Sequence, residues 1–436
     1  MTPSESREIS IAAVSADGHV GRPADAGLGR VLDSAPTTRR QFLKTSSMAG
    51  GGAWLASFSV ARAADAGGCA RIRLGLIGCG ERGVWLAKMF REHGGYEIAG
   101  VADYFKEKVD AAAAKFQLKP EQTFTGLKAY ERLIGNGGLD AVAIISPPYF
   151  HPMHARAAVD AGLNVYIAKP LSVDVPGCKF VEETGALATK KGLVFLVDFQ
   201  TRVNEFYIEA IKRVHDGALG EMVFGQASHH CGPCGLKAEP GTPEARLKNW
   251  LFYRALSGDT LVEQKIHMID VMNWAMNNVP PLRCTGVGSG KVRKHGDCWD
   301  YYTLVYEYPD KVGVTFSSRQ FEASMVPEHI VRMYGSKGAL MTEYGGIVMV
   351  RGAGNAFYRG GRTDALYQEG AQGNIRKFHE LVRAKDASNG SVKYGVQSNL
   401  IAIMGRMAAY SGRTISWDDV LKSEEKYDGD LAGLKS

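Results

Sequence analysis

The chain has 436 residues, of which 45% are hydrophobic and 22% are charged. This length indicates two or three domains, with enough apolar side chains to bury a large core. The net charge of +6 comes from 52 basic and 46 acidic residues. The excess is small and not clustered, so charge gives no indication of nucleic-acid binding. No apolar stretch reaches the roughly 20 residues of a membrane-spanning helix, so no stable membrane insertion is expected.

The first 63 residues have the organisation of an export signal. The segment Thr38-Arg39-Arg40-Gln41-Phe42-Leu43-Lys44 matches the S/T-R-R-x-F-L-K pattern of twin-arginine signals. A weakly apolar stretch follows, and Ala61-Arg62-Ala63 fits a small-x-small cleavage site. We therefore predict a twin-arginine signal peptide over residues 1–63, the twin-arginine export machinery as a partner, and a periplasmic or otherwise exported protein. The alternatives are a disordered basic tail and a lipid anchor at Cys69.

A glycine-rich loop follows the first predicted strand. Residues 72–77 are apolar, and Gly78-Cys79-Gly80-Glu81-Arg82-Gly83 leads into a helical pattern over 84–90. This order of strand, G-x-G-x-x-G and helix is the context of a dinucleotide site. Gly78 permits a tight turn, Gly80 lets a pyrophosphate approach the backbone, and Gly83 allows close packing. The predicted cofactor-binding residues here are Gly78, Gly80, Glu81, Arg82 and Gly83.

An acidic residue ends the second predicted strand. Residues 97–102 are followed by Asp103, which lies about 25 residues after Gly78, where NAD-binding sites hold the ribose hydroxyls. A carboxylate at this place repels a 2′-phosphate, so NAD is favoured, although Lys106 nearby leaves NADP as an alternative. The alternative is that Asp103 is a solvent-exposed residue at the end of a strand and binds no cofactor.

Strands and helices continue to alternate. Helices are predicted over 105–117, 152–161 and 174–191, and strands over 140–145, 164–167 and 193–197. This alternation predicts a doubly wound parallel sheet of the Rossmann kind, with helices on both faces. Ligands of such sheets bind at the carboxyl ends of strands, where Gly78, Asp103, Ser146 and Lys169 are expected.

Four motifs resemble those of the Gfo/Idh/MocA family, which includes glucose–fructose oxidoreductase and inositol dehydrogenase. The glycine loop is the first. Ser146-Pro147-Pro148 with His151 is similar to the family's T-P-x-x-x-H, and Ala168-Lys169-Pro170 to its E-K-P. Residues 258–270 resemble its G-x-L-x-D-x-x-x-H-x-x-D, with Glu263 where Asp is common and His267 as the catalytic histidine. The resemblance covers about residues 71–420.

The resemblance implies a fold and a cofactor. The fold class is α/β, with a Rossmann domain over 71–197 and a C-terminal α+β domain over 198–436 that carries a large, mostly antiparallel open-faced sheet. Strands over 301–308, 312–318 and 330–334 and helices over 376–383 and 397–410 fit this domain. The family forms dimers or tetramers, so a homo-oligomer is expected. A tightly bound NAD is implied, with additional contacts from Ser146, Pro147, His151 and Lys169.

Alcohol oxidation by NAD requires a base for the hydroxyl proton and a cation beside the developing alkoxide. We assign the base to His267 and the cation to Lys169. Glu263 lies four residues before His267, so in one helix it would orient the imidazole. The alternatives are a surface lysine, a core histidine and a helix-surface acid. Glu263 and His267 are also spaced as metal ligands, with His229 or His230 as a third.

Two further groups are noted. Candidate contacts to sugar hydroxyls are Arg202, Tyr253, Arg254 and Tyr410.

The C-G-P-C segment at Cys231–Cys234 matches the thioredoxin redox pair, which lies at the start of a helix. The segment from Lys237 to Arg246 includes two prolines and indicates a loop. The two cysteines are therefore expected to lie in a loop or to form a disulfide of an exported protein, rather than to bind a metal or catalyse redox chemistry.

The leading prediction is an NAD(P)-dependent dehydrogenase or reductase. It would transfer a hydride between the cofactor and a secondary alcohol or ketone of a sugar, glycoside or polyol. The first alternative is a redox-neutral glycoside hydrolase or epimerase with bound NAD. The second is a catalytically inactive sugar-binding protein of the same fold. Because twin-arginine export moves folded proteins, a cofactor acquired in the cytoplasm would accompany the chain.

Overall fold

The computed structural model describes residues 70–323, 327–352 and 354–436. The predicted twin-arginine signal peptide lies outside the described residues. Within them the chain forms two sheets, one of six strands and one of nine. No helix among the described residues is long and apolar enough to cross a membrane.

The first sheet is parallel throughout, in the order β3-β2-β1-β4-β5-β6. Its strands are β1 Ile72–Ile77, β2 Tyr96–Asp103, β3 Thr123–Thr125, β4 Ala141–Ile144, β5 Asn164–Ala168 and β6 Phe195–Asp198. The intervening helices are α1 Glu81–His93, α2 Lys106–Phe116, α3 Ala129–Gly135, α4 His151–Asp160 and α5 Val175–Lys190. β4 and most of β1 are buried, as expected for parallel strands covered on both faces.

The second sheet has the order β14-β13-β12-β11-β7-β10-β9-β8-β15, and only the β7–β10 pairing is parallel in the described residues. Its strands are β7 Met222–Cys231, β8 Arg283–Ser289, β9 Tyr301–Glu307, β10 Gly313–Gln320, β11 Glu328–Gly335, β12 Gly338–Glu343, β13 Ile347–Gly352, β14 Tyr358–Arg362 and β15 Ile415–Ser416. In β9 and β10 buried side chains alternate with more exposed ones, the pattern of a sheet with one covered face. The predicted fold class is thus confirmed.

The remaining helices connect and cover this sheet. They are α6 Glu205–His215, α7 Pro243–Lys248, α8 Arg254–Ser257, α9 Thr260–Glu263, α10 Ile266–Ala275, α11 Leu366–Ala384, α12 Gly390–Ser411 and α13 Trp417–Lys422. Helix α7 begins inside the segment expected to be a loop, because Thr242 caps it by accepting a hydrogen bond from the Ala245 N–H (3.1 Å) and Pro243 fits its first turn.

Helix α11 returns to the first sheet. Buried side chains of α11, including Ile375 and Phe378, share a core with Leu74 and Leu76 of β1. Helix α11 starts earlier than the predicted position 376, although Gly370 and Gly373 weaken a helix. A Cβ at Gly370 would collide with Gln200, so this glycine lets the helix pack closely on the chain after β6.

Candidate active site

The glycine loop has the geometry of a phosphate cradle. Gly78 has a left-handed φ of 99°, and a Cβ there would lie 2.6 Å from the Ile145 carbonyl oxygen. A Cβ at Gly83 would collide with the Gly78 carbonyl oxygen. At Gly80, by contrast, a Cβ would meet no atom of the described chain within 4 Å. Gly78 and Gly83 are therefore required by the fold, whereas Gly80 keeps a space open in front of the loop.

That space faces the N-terminus of α1. Gly80 is the residue that precedes the helix, and no side chain caps its first turn. The first N–H groups of a helix lack partners within it and carry a partial positive charge, so they bind phosphate oxygens. The loop borders a cavity of about 100 Å³, here called the glycine-loop cavity. Its walls also include Asp103, Tyr104, Phe105, Lys108, Leu127, Ser146, Pro147, Phe150, His154 and Trp250.

Asp103 joins the end of β2 to the glycine loop. Its Oδ2 accepts a hydrogen bond from the Cys79 N–H (2.7 Å), and its Oδ1 accepts one from the Phe105 N–H (2.9 Å). Each carboxylate oxygen retains a lone pair for a ribose hydroxyl. Burial first, and then the Asp103 charge, raise the pKa of the Cys79 thiol, so this cysteine is an inert part of the loop. An NAD ribose fits Asp103 in this position.

The side chains of two predicted cofactor contacts do not line the glycine-loop cavity. The Glu81 side chain is exposed and pairs with Lys237 (2.8 Å), so Glu81 would contact phosphate only through its backbone N–H at the start of α1. His151 is 1% exposed, with Nδ1 2.8 Å from the Pro170 carbonyl oxygen and Nε2 2.7 Å from the Ser146 carbonyl oxygen. It is a positioning residue that joins the ends of β4 and β5 beneath the cavity wall. In its place His154, 3.0 Å from the Ser146 hydroxyl, lines the cavity.

A second cavity, of about 370 Å³, contains the residues expected to carry out chemistry; we call it the lysine cavity. Lys169, directly after β5, and Glu263, at the end of α9, form an ion pair with Nζ 3.1 Å from Oε1. The two side chains are only 9% and 15% exposed. Lys169 also donates to the Glu263 carbonyl oxygen. Two of its three N–H donors are thus used, which leaves one for a ligand oxygen.

The predicted role of Glu263 toward His267 is wrong. The segment is not one helix, because α9 ends at Glu263 and α10 begins at Ile266. The carboxylate binds Lys169, and the His267 Nδ1 is buried without a hydrogen-bond partner among the described residues. His267 lines the lysine cavity. Burial, followed by the charges of Lys169 and Arg82, holds the pKa of His267 well below its usual value, so the imidazole is neutral.

Arg82, the fifth residue of the G-x-G-x-x-G segment, lines the lysine cavity. Its guanidinium pairs with the buried Asp198 (2.5 Å) at the end of β6 and donates to the Tyr367 hydroxyl (2.9 Å). Neither partner was predicted from the sequence. Tyr367 lies 285 residues from Arg82 along the chain, and no local pattern indicates such a contact.

Two further histidines line the lysine cavity, of which the sequence indicated His229 only as an alternative metal ligand and His329 not at all. His229 of β7 and His329 of β11 are direct partners in the antiparallel register, with ring centroids 4.2 Å apart. Burial is the largest cause that lowers both pKa values, that of His329 to about 4. Tyr344 lies beside them and donates to Gln200 (2.9 Å). Neutral imidazoles and a phenol suit hydroxyl groups.

The four predicted sugar contacts lie outside both cavities. Arg202 forms a bidentate ion pair with the buried Asp270 (2.8 and 2.9 Å) and lies between aromatic rings, because a buried guanidinium needs a carboxylate. Tyr410 donates to Asp259 (2.6 Å). Arg254 lies 4.6 Å from the Tyr410 ring, and Tyr253 packs near Phe105. These side chains stabilise the fold around the site.

Comparisons with known families agree with this geometry. A family model described as "Oxidoreductase family, NAD-binding Rossmann fold" matches residues 72–199, and a "GFO/IDH/MocA C-terminal domain" model matches residues 207–341. A 2,7-anhydro-N-acetylneuraminate hydratase of Mediterraneibacter gnavus is 24% identical over 288 residues, 64% of this chain and 69% of the hydratase. A glycosyl hydrolase family 109 protein of Solibacter usitatus is 28% identical over 204 residues, and the match spans 46% of its length.

Solved structures share the fold. The WlbA dehydrogenase of Bordetella pertussis, in complex with NADH and UDP-GlcNAcA, has a TM-score of 0.67 at 18% identity and covers 79% of this chain and 97% of its own. The aldose-aldose oxidoreductase of Caulobacter crescentus has a TM-score of 0.64 at 20% identity, with 80% and 100% covered. The chain therefore belongs to the Gfo/Idh/MocA family of oxidoreductases and carries an NAD-binding Rossmann domain.

Proposed function

We propose that the protein is an NAD-dependent oxidoreductase that acts on a secondary alcohol or ketone of a sugar, glycoside or polyol. The observation that carries this proposal is the Lys169–Glu263 ion pair beside His267 in a cavity bordered by the glycine-loop arginine, Arg82. A cation and a neutral base next to the cofactor site are what alcohol oxidation requires.

Bound NAD would supply the hydride acceptor. The remaining free N–H of Lys169 donates to the reacting oxygen and stabilises the negative charge that develops there as the hydroxyl proton leaves. His267, neutral at working pH, accepts that proton. The ion pair with Glu263 holds the Lys169 side chain in place. His229 and His329 line the same cavity and can bind neighbouring hydroxyl groups.

The names of the relatives favour a second candidate, a redox-neutral hydrolase or hydratase that keeps its NAD. Its first step would be the same oxidation, followed by elimination, addition of water and reduction. The two candidates differ in their products. We would identify nucleotide in the purified protein by mass spectrometry and then incubate the protein with a panel of sugars and glycosides. An oxidised sugar supports the first candidate, and release of the leaving group without net oxidation supports the second. If no compound gives either product, the remaining alternative is a catalytically inactive sugar-binding protein.

A tightly bound cofactor is part of the proposal. Residues 424–436, here called the C-terminal strap, run back to the glycine-loop cavity. The Lys435 carbonyl accepts from the Leu127 N–H (3.0 Å), and the Lys435 N–H donates to the Tyr104 hydroxyl (3.1 Å). Leu434 packs in a cluster that includes Tyr104 and Trp250, both of which line the cavity. A strap held against the cavity wall would slow nucleotide release.

We also propose that the protein is exported through the twin-arginine pathway. We further propose that the protein forms a homo-oligomer, as is expected from its family. The support for export is the sequence around Arg39 and Arg40 and the need to retain a cytoplasmic cofactor outside the cytoplasm. Replacing both arginines with lysine should leave the precursor in the cytoplasm. Normal export of this variant would contradict the proposal, and light scattering of the mature protein would give its oligomeric state.

A further inference from the structure

A buried lysine lies beside the C-G-P-C segment. Lys265 is 0% exposed, and its Nζ lies 3.3 Å from the Cys231 Sγ and 3.0 Å from the Gln264 Oε1. A buried ammonium is costly unless an anion compensates it. No carboxylate of the described residues lies within ion-pair distance of this Nζ, so the partner that can become an anion is the Cys231 thiol.

Proton transfer from Cys231 to Lys265 would give each group a partner of opposite charge. The thiolate would be the counter-ion of the buried ammonium, and the ammonium would stabilise the thiolate, as cations do at reactive cysteines. Burial lowers the pKa of Lys265, and the nearby Cys231 opposes this shift. The Cys231 Sγ also lies 3.4 Å from the Arg319 carbonyl oxygen, a contact in which the thiol form would donate.

The second cysteine of the segment lies beside the same glutamine as the first. Both sulfur atoms contact the Gln264 side chain, Cys231 at 3.8 Å and Cys234 at 3.6 Å. β7 ends at Cys231, and the chain through Cys234 is an irregular loop rather than the start of a helix. Both cysteines are partly exposed and line the lysine cavity, whereas Cys79, Cys178, Cys284 and Cys298 are buried.

We propose that Cys231 and Cys234 form an oxidisable dithiol in the wall of the lysine cavity, with Cys231 as the nucleophile activated by Lys265. The oxidant is a small disulfide such as glutathione disulfide. The Cys231 thiolate attacks one of its sulfur atoms, breaks the S–S bond and releases one glutathione thiolate. Cys234 then gives its proton to the released glutathione thiolate, attacks the Cys231 sulfur and releases the second glutathione as a thiolate, which takes a proton from solvent. The protein dithiol gives up two electrons, and two glutathione molecules result.

Oxidation would reach the reaction site through Lys265. A disulfide is not an anion, so the buried ammonium would lose its counter-ion. Lys265 immediately precedes α10, two residues before His267, and follows Glu263 by two residues. A shift of this segment would change the Lys169–Glu263 pair and the position of His267. The dithiol therefore regulates turnover according to the thiol–disulfide balance of the compartment.

The first test needs no enzyme substrate. Wild-type protein and the variants Lys265→Met, Cys234→Ser and Cys231→Ser are labelled with iodoacetamide across a pH series. We expect Cys231 to be alkylated at pH values well below the about 8.5 of a free thiol, in wild type and Cys234→Ser alike. Lys265→Met should lose this reactivity while remaining folded. The proposal would be overturned if Cys231 reacted only with the pH dependence of a free thiol. It would also be overturned if Cys231 reacted in Lys265→Met as it does in wild type.

The second test concerns the disulfide. After treatment with glutathione disulfide, the tryptic fragment 214–237, which contains only these two cysteines, should be lighter by two hydrogen atoms. Turnover of wild type should fall about tenfold and recover with dithiothreitol. Cys231→Ser is compared with its own reduced state and should show no reversible fall, whereas Cys234→Ser should stop at the mixed disulfide and gain the mass of one glutathione at Cys231. A fragment of unchanged mass would refute the dithiol, and equal turnover of the two wild-type states would refute the regulation. If no substrate is turned over at all, the alkylation and mass results still decide the chemistry, separately from the proposed function.

Discussion

Lys169 and Glu263 lie 94 residues apart in the chain, yet their side chains meet in an ion pair of 3.1 Å beyond the carboxyl end of β5. The lysine follows a strand of the Rossmann domain, and the glutamate ends a helix of the C-terminal domain. The pair therefore joins the two domains at the point where we place the reaction. Its low exposure means that neither charge is readily compensated by water if the other is removed.

The first prediction concerns this pair. Lys169→Met should lower turnover by roughly 10²–10⁴-fold, because the developing alkoxide loses its cation. It should also lower the melting temperature, since the Glu263 carboxylate is left without its partner. Glu263→Gln should lower turnover less. The double variant should regain stability relative to Lys169→Met but not turnover, which thermal melts and rate measurements would separate. Full turnover in Lys169→Met would refute its role.

The second prediction compares two glycines of the same loop. Gly80→Ala should fold with wild-type stability, because the new methyl group meets no atom of the described chain, but should bind NAD at least about tenfold more weakly, or about 1.4 kcal/mol. Gly83→Ala should lose about 1–3 kcal/mol of stability through its collision with the Gly78 carbonyl. Calorimetric titration and unfolding in urea measure the two effects. Unchanged NAD affinity in Gly80→Ala would mean that the pyrophosphate lies elsewhere.

The third prediction concerns the C-terminal strap. A variant that ends at Ser423 should purify with less bound nucleotide and release added NAD faster than the full chain. Because the truncation also removes packing, Leu434→Ala provides a milder change in the same cluster. It should accelerate release without a large change in melting temperature. Equal release rates in all three proteins would show that the strap does not retain the cofactor.

The fourth prediction is a dependence of stability on pH. Burial lowers the pKa of His329 to about 4 in the folded chain, from about 6.5 when unfolded. Between these pH values the unfolded chain binds a proton at His329 more readily than the folded chain does. The contribution of neutral His329 to the free energy of unfolding is therefore present above about pH 6.5 and is lost as the pH falls toward 4. His329→Gln should therefore show a shallower loss of stability in urea from pH 7 to 5. His215→Gln, at an exposed position, is the control and should follow wild type.

The sequence predicted the fold and the loop better than the site. The G-x-G-x-x-G loop, Asp103, Lys169 and His267 lie near strand ends or in motifs, so local patterns identify them. The partners of these residues come from distant segments. Whether Glu263 faces His267 or Lys169 depends on the break between α9 and α10, which the apolar pattern does not reveal.

Other contacts of the site depend on sheet register. The pairing of His229 with His329 follows from the antiparallel β7–β11 register, across 100 residues of chain. Arg202 and Tyr410 were predicted as sugar contacts because polar and aromatic side chains bind sugars. The same chemistry serves a buried ion pair and a buried hydrogen bond, and only the three-dimensional packing distinguishes these uses.

The most direct test of the proposed function is a single-turnover measurement of the nicotinamide. NAD-loaded protein is mixed with the sugar or glycoside from the panel, and the absorbance of reduced nicotinamide is followed in wild type and in Lys169→Met. We predict that it appears in wild type, transiently if the overall reaction is redox-neutral, and at least about 100-fold more slowly in the variant, with equal NAD bound. Product formation by wild type without any reduced nicotinamide, or equal rates in both proteins, would contradict the account.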